Sequence, residues 1–136
     1  MNMKIIFAIV VAVSIFLSAS PSFGQTVNGI PAVNFVCLQS EPLFDIIDTS
    51  YKHSPAKGQE VADKYIESGE CWHVSPTPVE ILKILKEMLD PNGKLWAVVF
   101  VRPHKITGFT NRPPRFAVMD AKIAQSYFTK SQNKWL

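Results

Sequence analysis

Along this chain the apolar positions change rhythm several times, and each rhythm predicts a different element. The first is an unbroken block. Ile5 to Leu17 carries no charge and one polar residue, Ser14, between Lys4 and the small-residue run from Ser18 to Gly24. As a helix that block spans about 20 Å at ~1.5 Å per residue, short of a hydrocarbon core of ~30 Å. Basic, apolar, then small is the order of a secretory signal, so residues 1–24 are expected to be cleaved after Gly24. No stable membrane span is expected after cleavage, and the protein is expected to be secreted or periplasmic. The remaining 25–136 is long enough for a single globular domain and too short for two.

Within that domain Val33 to Leu38 reads as a strand, after an extended lead-in from Gln25 that turns at Asn28-Gly29. Ser40, Glu41 and Pro42 then form a helix start, and Leu43, Phe44, Ile46, Ile47 and Tyr51 recur at helical spacing until Lys52-His53-Ser54-Pro55. Val61, Ala62, Tyr65 and Ile66 give a second helix from Gly58 to Ser68, closed by Gly69. Val79 to Leu89 supports two readings. Thr77-Pro78-Val79-Glu80 is a capping box, and Ile81, Leu82, Ile84, Leu85, Met88 and Leu89 fit one helical face. The Asp90-Pro-Asn-Gly93 turn and the strand-like run after it would instead make the segment half of a β-hairpin. Local signals favour the helix. Leu95 to Val101 is apolar at every position, the mark of a strand covered on both faces. Phe116 to Met119 is a short strand and Ala121 to Phe128 a terminal helix with Asp120 as its cap, leaving 129–136 as a polar tail expected to fray. The sum is an α+β fold: a helical hairpin stapled by one disulfide to a short antiparallel sheet of three or so strands.

The staple comes from Cys37 and Cys71, the only cysteines, 34 positions apart. Two lone cysteines in an oxidising compartment pair. This bridge would tie the strand before the first helix to the end of the second.

Charge adds an asymmetry. From Gln25 to Asp90 there are ten acids and five lysines, a balance of −5. From Pro91 onward there is one acid, Asp120, against eight basic residues, a balance of +7. Either the two halves fold together and cancel, or the basic half meets an anionic partner. The surface singled out is the loop Gly108 to Phe116: Arg112 and Arg115 around a Pro-Pro pair, flanked by Phe109 and Phe116, with Arg102 and Lys105 just upstream. Guanidinium groups suit planar carboxylates and phosphates, and stiff Pro-rich segments lose little entropy on docking. Trp72 and Trp96 are expected in the core.

Catalytic and metal chemistry finds little footing. His53, His73 and His104 lack the partners of a zinc helix, and no nucleophile elbow, phosphate loop or Asn-x-Ser/Thr sequon occurs. No catalytic residue, metal or cofactor is expected. The function expected is therefore a small exported binding or accessory module, without enzymatic activity, contacting an acidic protein or an anionic envelope component; no nucleic acid is expected. Two alternatives stand beside it: a small secreted hydrolase with a His-based site, and a purely structural envelope protein.

Overall fold

The computed structural model describes residues 26–109 and 111–133, with side chains to 128, so the expected signal segment lies outside the described residues. The architecture is α+β. Strand β1 (Thr26–Val27) and strand β2 (Ile30–Cys37) form a hairpin through Asn28-Gly29, both at positive φ, as the favoured two-residue hairpin turn demands. Helices α1 (Glu41–Lys52) and α2 (Pro55–Glu67) follow. Then come the long strand β3 (Cys71–Leu89), strand β4 (Leu95–Pro103), a 3-10 turn (Lys105–Thr107), strand β5 (Arg115–Asp120) and helix α3 (Ala121–Asn133).

The helical hairpin forms where the sequence places it. Ser40 occupies the N-cap of α1, but its hydroxyl makes no capping bond; its carbonyl accepts from the N–H groups of Leu43 and Phe44. Helix α2 starts three residues earlier than its apolar stripe suggests, because Ser54 caps it by accepting from the Lys57 N–H and Pro55 suits the first turn. It ends in a Schellman motif: the Gly69 N–H bonds to the Ile66 carbonyl and the Glu70 N–H to that of Tyr65, with Gly69 at φ +81. The helices also meet through a hydrogen bond from the Tyr65 hydroxyl to Asp45 at 2.8 Å. That bond, with partial burial and the nearby Asp45 and Glu70 charges, pushes the Tyr65 phenol up to about 12.

Residues 79–89 form a strand, against the helix that local signals favour. They pair with the whole of β4, from Val79 opposite Pro103 to Leu89 opposite Leu95. Two bulges explain the misleading rhythm. The register slips between Ile81 and Lys83 and again between Ile84 and Lys86, leaving Leu82 and Leu85 as extra residues three positions apart. A strand interrupted at that interval copies helical spacing. The turn that follows is held by Asp90, 2 % exposed, whose carboxylate accepts from the N–H groups of Asn92 and Lys94 and from the Trp96 indole at 2.9 Å.

All pairings are antiparallel, in a five-stranded sheet rather than one of three or so strands. The first half of β3 pairs with β2 and its second half with β4, while β5 pairs with both β2 and β4. The four strands are therefore joined in a ring, which makes the sheet curl. One face packs Phe35, Cys37, Cys71, Trp96, Val98 and Val118 against Leu43, Ile46, Ile47 and Ala62 of the hairpin. The other packs Val33, Val36, Val79, Ile81, Ala97, Val99, Val101, Ala117 and Met119 against Ala121 and Ala124 of α3. β4 thus lies between helices on both sides, which is why its run has no polar break.

Cys37 and Cys71 are bonded and fully buried. They are direct cross-strand partners with Cα atoms 4.0 Å apart, and the Leu38 N–H to Glu70 carbonyl bond beside them marks a close, non-hydrogen-bonded pair. Asp120 caps α3, its carboxylate accepting from the Lys122 and Ile123 N–H groups and pairing with Lys94 at 3.3 Å. Partial burial alone would raise its pKa; those backbone donors and the Lys94 ammonium outweigh it, and the carboxyl sits below its ordinary range. Helix α3 runs to Asn133, beyond Phe128 where it was expected to stop. Among the described residues, no helix is long and apolar enough to cross a membrane.

Candidate functional site

Helix α3 covers only part of the face it packs on. Beside it lies an open groove of about 250 Å³ whose base is made by Val33 and Val36 of β2, Val79 of β3 and Val101 of β4, all buried core side chains, together with half-buried Val74 of β3. Trp72 and Pro103 complete the apolar lining, together with Pro113, and Thr77 contributes a hydroxyl. The sheet builds this shape. β3 crosses from β2 to β4 at Pro78, where the His104 N–H bonds to the Pro78 carbonyl and Ala32 sits in register opposite. The end of β4 and the loop after it are thereby brought against the start of β2.

Arg102, Arg112 and Arg115 line the same groove, and they are all the arginines the chain has. Arg102 is held by Glu80, its Nε and Nη2 lying 3.1 and 3.0 Å from one carboxylate oxygen. Arg112 lies over the Phe109 ring at 4.1 Å, and Arg115 over the Trp72 ring at 5.5 Å while donating to the Pro114 carbonyl. Among the described residues neither Arg112 nor Arg115 has a carboxylate partner. Stacking on aromatic faces leaves guanidinium edges directed outward, with N–H donors to offer and no acceptor capacity. The arrangement can hold an oxyanion beside an apolar surface. Part of the charge asymmetry is cancelled internally, through the Arg102–Glu80 pair.

The sequence-derived candidates divide. Arg102, Arg112 and Arg115 converge on the groove, and Phe109, 48 % exposed, supports Arg112 from outside it. Lys105 lies in the exposed 3-10 turn and does not line the groove. Phe116 is on the opposite face of the sheet, packed on Phe100 at 4.8 Å and against the cluster under the hairpin. Its neighbour Arg115 points to the groove, and strand alternation then sends Phe116 away. Trp96 is core, 2 % exposed, whereas Trp72 is half-buried in the groove wall. The groove base gave no signal in the sequence, since Val33, Val36, Val79 and Val101 are core side chains in the structure as well and only Val74 and Trp72 stay half-buried beside them.

The histidines lie apart in sequence and structure. His53 ends α1, His73 stands edge-on to Phe35, and the His104 imidazole accepts from the Ile106 N–H to cap the 3-10 turn. Among the described residues, no three His, Cys, Asp or Glu side chains are grouped to hold a metal ion. Comparison with models of protein families, with curated proteins and with solved structures found no match to this chain.

Proposed function

We propose that this protein is an exported binding or accessory module that takes an anionic partner at the arginine-lined groove. The observation that carries the reading is the convergence of all three arginines on one apolar concavity, two of them without a carboxylate partner among the described residues. Arginines spent on solubility would scatter. Export is the reading that fits the order of the first 24 residues together with a buried disulfide, since such bonds persist outside reducing compartments. The partner is an acidic protein or an anionic envelope component, and the domain acts by holding it.

Retention on a phosphate-bearing resin tests this. Arg112→Ala/Arg115→Ala is expected to elute at clearly lower salt than a charge-matched Lys105→Ala/Lys122→Ala control. Equal shifts for the two variants would mean that net charge alone governs retention and that the groove is no anion site.

A further inference from the structure

We infer that the groove's ligand is a single-chain acyl or alkyl amphiphile with an oxyanion head. The inference rests on the anion-binding reading above and narrows it from anions in general to this class.

The floor sets the tail. Five valines, Trp72, Pro103 and Pro113 line the groove, and apart from the arginines the only polar groups on the lining side chains are the Thr77 hydroxyl and the Trp72 indole N–H. A peptide laid there brings an N–H and a C=O with every residue, each of which needs a partner once desolvated. The arginines can donate to the carbonyls, but among the lining side chains only the Thr77 hydroxyl can accept from the N–H groups. An aliphatic chain asks for no partner and gains from covering Trp72, Val74, Pro103 and Pro113, the apolar lining that stays partly exposed. Size points the same way: about 250 Å³ lies just below the range of ligand sites, roughly 300–1,000 Å³, which suits one chain of medium length rather than a two-chain lipid.

The rim sets the head. Arg112 and Arg115 are stacked on Phe109 and Trp72, so little side-chain freedom is lost when they engage a ligand. Arg102 is already neutralised by Glu80 and closes the rim without adding net charge. Two guanidinium groups without a carboxylate partner among the described residues, beside an apolar groove, match one carboxylate or phosphate at the end of one chain.

Calorimetric titration of the oxidised protein with decanoate, decyl phosphate, decanol and acetate tests the inference, all below micelle-forming concentrations. Decanoate, decyl phosphate or both should saturate at one site per chain, and which of them binds tells a carboxylate head from a phosphate head. Acetate should not bind in the same range, and decanol should bind at least tenfold more weakly. Arg112→Ala/Arg115→Ala, changed only at exposed or half-exposed positions, should weaken the amphiphile at least tenfold, and Val74→Trp, which fills the groove, should do the same. Loss of neither affinity, equal binding of decanol, or no binding of either amphiphile overturns the inference. Polyglutamate serves as the second arm. If it binds through the arginines while the amphiphiles fail, the acyl ligand is wrong and the anion site stands; if neither anion responds to the arginines, both fall.

Discussion

Single residues carry unequal weight here, and Asp90 carries more than its surface-loop position suggests. Its carboxylate is buried yet satisfied three times over, by two backbone N–H groups of its own turn and by the Trp96 indole. Asp90→Ala strands that indole in the core and frees the turn, and should cost on the order of 3 kcal/mol, read as a shift in the urea midpoint with unchanged slope. Asp90→Asn keeps an acceptor and should cost less. In the double variant Asp90→Ala/Trp96→Phe, which removes the stranded donor as well, the loss should fall well short of the sum of the single losses. The turn around Asp90 was plain from Asp-Pro-Asn-Gly, but its hold on Trp96 was not, because nothing in a tetrapeptide says which way a carboxylate faces. The same limit applies at the groove. Arg112, Arg115 and Phe109 announced themselves by type, whereas Trp72 looked like core, and Phe116 was assigned to the loop despite the alternation that separates it from Arg115.

At the scale of elements, the helical hairpin was legible and the long strand was not. Caps, stripes and the Gly69 stop are local signals, and α1 and α2 obey them. Strand β3 is decided by a partner: β4 offers a complete ladder to residues 79–89, and hydrogen bonding along it overrides a sound capping box. The hairpin also holds a tight contact that spacing alone does not reveal. A Cβ built on Gly58 would lie 1.8 Å from the Ser50 Oγ, which itself donates to the Ile46 carbonyl at 2.7 Å. Gly58→Ala should therefore destabilise the protein by about 1–3 kcal/mol, although alanine is the better helix former. Adding Ser50→Ala removes the closest clashing atom and should recover part of that loss, a positive coupling that thermal melts of the four-member cycle would measure.

The whole molecule depends on one covalent link placed at the junction of its parts. Cys37 ends the strand that leads into the hairpin, Cys71 begins the strand that leaves it, and the bond shortens the unfolded chain's freedom across 34 positions. Cys37→Ala/Cys71→Ala should cost about 3–4 kcal/mol by loop entropy and lower the melting temperature by more than about 10 °C, as should reduction of the native protein. The pairing was readable from the cysteine count, and the cover on both faces of β4 from its unbroken apolar run. The curl of the sheet was not, because it follows from the pairing of β2 with β5, which closes the ring of four strands. That curl puts the link next to the groove: the residue pair beside Cys37 and Cys71 in the ladder is Val36 and Trp72, both of which line it. A preparation made in a thiol-rich cytosol would thus keep every arginine but not the rigid wall that aims Arg115. Such material would be a misleading reagent in ligand screens, silent for a reason unrelated to its chemistry.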